Sequence, residues 1–148
     1  MPRVSSVSGP PVDVRASAAV VQEQSGWPIV VAADLPDGWR ETSARFVRTT
    51  DGVRTWHAGY QTPRGTYVAV EQAQDPTRGW LAAQTNRAPR EGELEAAGRT
   101  WTKYVRDTKT QNSLYTDDGP GGLATLVTGT ASFEEMAEFI GYLEPVAP

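Results

Sequence analysis

The residues Leu35-Pro36-Asp37-Gly38-Trp39 set the frame for this chain. Pro36 fixes φ at a value suited to the first corner of a turn, and Gly38 supplies a positive φ. Trp39 leaves the turn as a large side chain that needs burial. A short apolar run, Ile29-Val30-Val31, leads in, and three strand patterns lead out. Residues 43–49 alternate, with Ala44 and Phe46 on one face and Arg45 and Val47 on the other. Asp51-Gly52 is a hairpin turn signal. Residues 54–61 set Trp56, Ala58 and Tyr60 against Thr55 and His57. Pro63-Arg64-Gly65 turns the chain again, and residues 67–74 set Val68 and Val70 against Tyr67 and Ala69. The pattern predicts a three-stranded antiparallel meander.

Downstream, Asp75-Pro76 reads as a helix start, with Asp75 as the cap and Pro76 in the first turn. That helix is expected to run to about Asn86 and to face Trp80, Leu81 and Gln84 inward. A second set of strands follows over 93–96, 99–106, 112–117 and 122–129, with turns at Gly98 and at Asp118-Gly119-Pro120-Gly121-Gly122. The last helix carries the clearest signal. Ser132 and Glu135 form a capping box, and Phe133, Met136, Phe139, Ile140 and Leu143 make one apolar stripe.

Upstream, residues 1–11 are rich in Ser, Pro and Gly and read as a flexible lead. Asp13 is positioned to cap a helix over about 14–24, with Ala16, Ala19, Val20 and Gln24 on one stripe. Gly26 ends it, and Trp27-Pro28 exits in an extended conformation. The order is helix, three strands, helix, four strands, helix. This predicts a single α+β domain over 12–148, an antiparallel sheet of about six to seven strands flanked by helices as an α/β/α sandwich.

Composition narrows the function. A chain of 148 residues buries roughly 68–70% of its unfolded surface, enough for one core without staples. The lack of Cys removes disulfides, thiolate catalysis and Cys-based metal sites. A net charge of −4 and a pI near 5.0 speak against a nucleic-acid partner. No window approaches the ~20 apolar residues that span a bilayer, so the chain as given reads as soluble.

The motif set resembles the actinobacterial family called domain of unknown function 4245. The likeness runs from about Val12 to Leu143. It is carried by Val12-Asp13, Leu35 to Arg40, Thr55 to Pro63, Tyr67-Val68, Gly79-Trp80-Leu81, Gly98 to Trp101 and Val127 to Ser132. The resemblance implies one N-terminal membrane helix, missing from this chain, with the domain on the extracytoplasmic side of the cell membrane. It attaches no activity. At fold level the order of elements is also similar to the Mog1 and PsbP-like group, which hosts binding and assembly roles more often than catalysis.

Candidate chemistry is sparse. His57 is the one histidine; as a metal ligand it would need partners such as Glu71 or Asp51, and no His-x-His or His-x-x-x-His spacing exists. Gly-x-Ser-x-Gly is absent. The Gly119–Gly122 run lacks a following Lys-Ser/Thr and precedes a strand, so it reads as a hairpin loop and not a phosphate loop. Glu134-Glu135 lie in the first turn of a helix, where negative charge offsets the dipole. The aromatics are the best hint. Trp56, Tyr60, Trp101 and Tyr104 fall on two strands expected to be neighbours.

The sequence therefore predicts a non-catalytic, extracytoplasmic binding domain without metal or cofactor. Its partner is an envelope protein or a small apolar ligand, met by Trp56, His57, Tyr60, Tyr67 and Trp101. A hydrolase with a site near His57, or a structural spacer, are the alternatives.

Overall fold

The computed structural model describes residues 12–146. The expected flexible lead, residues 1–11, lies outside them.

Helix α1 (Val14–Ser25) begins where Asp13 accepts a hydrogen bond from the Ala16 N–H and ends at Gly26, whose φ of 73° makes a left-handed cap. Strand β1 (Val30–Ala32) and the turn at Pro36–Gly38 lead into β2 (Arg40–Arg48), β3 (Arg54–Gln61) and β4 (Tyr67–Gln74). Helix α2 (Arg78–Gln84) follows, then β5 (Arg90–Ala96), β6 (Arg99–Arg106), β7 (Gln111–Asp117) and β8 (Leu123–Gly129). Helix α3 (Phe133–Gly141) and the short β9 (Leu143–Pro145) complete the described chain.

The strands form one seven-stranded antiparallel sheet in the order β2-β3-β4-β8-β7-β6-β5, so the predicted α+β architecture is present. A separate two-stranded ribbon pairs β1 with β9, which the sequence reading did not contain. Two features differ from expectation along the strand order. β8 is inserted between β4 and β7, and the strands of Trp56 and Trp101 are therefore not neighbours. Strands β2 and β5 each begin three residues earlier than expected, ahead of register irregularities between Glu41 and Ser43 and between Arg90 and Glu93.

The main core lies on the sheet face that carries Trp56, Ala58, Tyr60, Val68, Val70, Leu114 and Val127. Helix α3 supplies Met136, Phe139 and Ile140, and α1 supplies Val14, Ala18 and Val21. The stripe expected on α1 is thus corrected: Ala16, Ala19, Val20 and Gln24 face solvent. The helix is short of large apolar residues, and its orientation is set by Val14 and Val21 reaching the sheet. On the opposite face α2 buries Trp80 against Ala73 and Leu126. Its cap is also corrected. Thr77 accepts from the Trp80 N–H, while Asp75 takes a left-handed φ of 47° and accepts from the Gly121 N–H of the β7–β8 turn.

The ribbon is held to the sheet by side chains that satisfy its outward backbone groups. The Trp56 indole donates to the Val30 carbonyl at 3.1 Å, Gln72 accepts from the Val30 N–H at 2.8 Å, and the Tyr60 hydroxyl accepts from the Ala32 N–H at 3.3 Å. Buried backbone groups left without such partners would each carry a desolvation cost.

Candidate site on the sheet face of His57

The hairpin loop Thr50–Gly52 sets the register between β2 and β3, pairing Arg45 with His57 and Ser43 with Gly59. One strand further in, His57 pairs with Glu71. Because side chains alternate, Ser43, His57 and Glu71 all fall on the α2 face of the sheet, away from the main core.

The three form a hydrogen-bonded row. His57 Nδ1 lies 2.8 Å from Glu71 Oε2. His57 Nε2 lies 3.0 Å from Ser43 Oγ and 3.2 Å from the Tyr67 hydroxyl. With Nδ1–H donating to the carboxylate, the single Nε2 lone pair takes one of the two hydroxyl protons at a time. His57 and Glu71 are 6% and 7% exposed, and Glu71 Oε1 is buried with no hydrogen-bond partner. Gly59 makes the convergence possible. A Cβ there would collide with the Tyr67 hydroxyl and lie 2.5 Å from Ser43 Oγ. A β-bulge between Glu41 and Ser43 shifts the register just ahead of Ser43, leaving Thr42 as the extra residue, its hydroxyl buried and unpartnered.

Of the five residues predicted to bind, the structure brings His57 and Tyr67 together here. It places Trp56, Tyr60 and Trp101 on the other side of the sheet, at 0%, 0% and 2% exposure. Trp56 and Tyr60 anchor the ribbon, and Trp101 donates to the Ala96 carbonyl at 3.2 Å. Burial pushes the Tyr60 hydroxyl up to about 12, against a smaller opposing effect of the Ala32 N–H. Ser43 and the pairing role of Glu71 were missed as a constellation: a two-residue turn at Asp51-Gly52 would pair Ser43 with Tyr60, whereas the three-residue loop Thr50–Gly52 pairs it with Gly59, beside His57. Asp51 lies elsewhere, accepting from the Thr77 hydroxyl at 2.5 Å. Among the described residues no three His, Cys, Asp or Glu side chains group as a metal site would require.

Two cavities lie away from this row. One, of about 350 Å³, is lined by Trp39, Pro63, Arg64, Ser132, Glu134, Glu135 and Glu138. Burial raises the Glu135 carboxyl, but hydrogen bonds from the Ser132 N–H and from threonine hydroxyls including Thr66 outweigh it and hold it below its usual value. The other lies beside α2 and carries Arg78, Arg87 and Arg106.

The outer edge of β2 is the remaining distinctive surface. β2 ends the sheet, and beyond its bulge it runs in regular register from Ser43 to Arg48. Arg40, Arg45 and Arg48 are exposed on it. Among the described residues none of the three pairs with a carboxylate: Arg40 donates to Gln61 and Arg48 to the Gly52 carbonyl. Val47 is exposed between them. At the other end of the sheet, β5 carries Glu91, Glu93 and Glu95, all exposed.

Residues 1–143 match the family described as "Protein of unknown function (DUF4245)". The chain belongs to this family, in agreement with the resemblance read from its motifs. No curated protein matches it. Among solved structures it is similar to a chain of the complex of Pseudomonas aeruginosa MucA/MucB, at 12% identity and a TM-score of 0.48. The match covers 82% of this chain and 36% of that one, so the chain spans about a third of the neighbour's length. A likeness at that level carries no functional argument. The similarity to the Mog1 and PsbP-like group remains an expectation. No helix among the described residues is long and apolar enough to cross a membrane.

Proposed function

We propose that this protein is a non-catalytic binding domain, tethered on the extracytoplasmic side of a cell membrane, that engages an envelope protein. The observation that carries the reading is the open β2 edge, whose three arginines have no carboxylate partner among the described residues. An unpaired strand edge offers a row of backbone donors and acceptors to another chain. A small apolar ligand is less well served. Trp56, Tyr60 and Trp101 are spent on the core, and the two cavities described are rich in charged side chains. The compartment rests on the family resemblance, which implies a membrane helix ahead of the domain.

Two experiments test this. A photo-crosslinking residue at position 47 of the full-length protein, irradiated in cells, is expected to trap one envelope protein; adducts to lipid alone, or none, overturn the partner class. Fractionation is expected to recover the full-length protein with membranes, and recovery in the cytosol overturns the compartment.

A specific observation favours a second reading. Ser43, His57 and Glu71 have the connectivity of a nucleophile, a base and an orienting carboxylate. Against it, Tyr67 competes for the same Nε2, and neither described cavity opens at Ser43. A fluorophosphonate decides. Attack by Ser43 Oγ would displace fluoride and pass the hydroxyl proton to His57. An adduct on Ser43 that disappears in His57→Gln would replace the binding reading with a hydrolase.

A further inference from the structure

The β2 edge also specifies what it takes. Six residues in regular register, Ser43 to Arg48, span roughly 20 Å at about 3.3 Å per residue. The bulge at Thr42 closes one end of that run and the hairpin at Asp51-Gly52 closes the other. Within it the side chains alternate as in any strand. Arg45 and Val47 project on the His57 face, and Phe46 and Arg48 on the core face. Phe46 is already engaged, packed edge-on against Trp27 with the Arg54 guanidinium 5.1 Å from its ring.

Charge on an edge strand is commonly a device against aggregation. Within Ser43–Arg48 it has one sign; the strand's carboxylate, Glu41, lies ahead of the bulge and accepts from the Val14 N–H at 3.0 Å. Neutral or basic strands approaching β2 would bring their own side chains against unneutralised guanidinium groups. An acidic strand would supply the carboxylates these groups lack, since oppositely charged residues directly opposite one another stabilise a strand pair. The domain as a whole is acidic, with a net charge of −4, so this basic edge, with one arginine on each face, stands out against it.

We infer that the β2 edge binds an extended, acidic polypeptide segment of a partner protein as an eighth, antiparallel strand. The segment places carboxylates opposite Arg45 and Arg48 and an apolar residue opposite Val47. This rests on the binding-domain reading above and names the chemistry of its partner. Main-chain hydrogen bonds along β2 supply affinity, and the arginines supply selectivity.

The test uses the hexapeptide acetyl-Glu-Val-Thr-Glu-Thr-Thr-amide with the whole chain, followed by backbone amide NMR. Its order places the two glutamates opposite Arg48 and Arg45 in antiparallel register. At millimolar peptide, shifts are expected along Ser43–Arg48 and not along Arg90–Ala96. A Lys-for-Glu peptide is expected to bind at least tenfold more weakly. The Arg45→Glu/Arg48→Glu variant, with its fold checked by circular dichroism, is expected to reverse that preference. No shifts at β2, or equal response to the acidic and basic peptides, overturns the inference. So does concentration-dependent self-association abolished by the same double variant, since the occupant would then be the Glu91–Glu95 edge of a second copy. Should the double variant still trap the same envelope protein from position 47, the acidic-strand inference fails while the binding-domain reading stands. If the wild type traps nothing, that broader reading fails.

Discussion

The Tyr67 hydroxyl fills the space that a side chain at Gly59 would need. The two residues sit on adjacent strands, two positions apart in register, and the absence of a Cβ lets the phenol lie across the sheet toward His57. Ser43 uses the same gap from the other side. Gly59→Ala is therefore expected to destabilise the domain by about 1–3 kcal/mol, through overpacking and not through backbone strain. Removing the colliding oxygen in Gly59→Ala/Tyr67→Phe should recover part of the loss. Urea denaturation of both variants checks this, and a neutral Gly59→Ala would mean that Tyr67 swings away freely.

The buried pair of His57 and Glu71 makes a second prediction. Removing the imidazole leaves Glu71 Oε2 without a partner beside an Oε1 that already has none. His57→Ala is expected to cost about 1–3 kcal/mol, the penalty for leaving a buried acceptor without its donor. Ser43→Ala should cost about 1 kcal/mol or less, because the Tyr67 hydroxyl remains within reach of Nε2. Chemical denaturation of the two variants side by side is the measurement. Equal, small losses would show that water replaces the imidazole.

Helix α3 should carry a large share of the core. Phe139 is fully buried, with its ring 5.1 Å from that of Tyr60 and stacked on Trp39 at 5.9 Å. Phe139→Ala is expected to cost about 3–5 kcal/mol. On α1, Val21→Ala should cost more than Val20→Ala, since Val21 faces the sheet and Val20 is 55% exposed. Thermal melts of the three variants test the docking of both helices. The opposite order on α1 would restore the stripe read from sequence.

What the sequence made legible follows the range of the interaction that decides each element. The capping box of Ser132 and Glu135 and the stripe on α3 lie within one short window, and both are present, except that the helix ends at Gly141 and the last expected member of the stripe, Leu143, lies on β9. Asp51-Gly52 marks the turn between β2 and β3, but the loop holds three residues, Thr50–Gly52, and that extra residue sets the register, with Arg48 opposite Arg54. Helix α1 misled because its Ala and Val residues offer two stripes of similar apolarity, and only contact with the sheet chooses between them. At α2 two capping residues, Asp75 and Thr77, lie within three positions, and the tertiary bond from Asp75 to Gly121 selects Thr77. Strands β1 and β9 are three residues each and pair across nearly the whole chain, so no local pattern marks them. The same holds for the site. His57 stood out as a lone histidine, whereas Ser43 and Glu71 join it by cross-strand pairing and not by any fixed spacing in sequence.

Glu135 links the capping box to the β3–β4 turn and gives the last prediction its sign. Its carboxylate accepts from the Ser132 N–H at 2.9 Å and from the Thr66 hydroxyl at 3.1 Å. Burial alone would raise its pKa, but these bonds win and the folded-state value falls below the ordinary 4.5. A depressed carboxyl contributes stability above its unfolded-state pKa, and that contribution is lost as pH falls through the folded-state value. Wild type is thus expected to exceed Glu135→Gln in stability at neutral pH and to lose this advantage below about pH 4.5. The group is only partly buried, so solvent screening keeps the difference small. Added salt should reduce it further. Paired urea titrations from pH 7 to pH 3, at low and moderate salt, read the difference directly. A constant offset across that range would mean that the carboxylate acts through shape alone, and that the bond to Thr66 does not depend on charge.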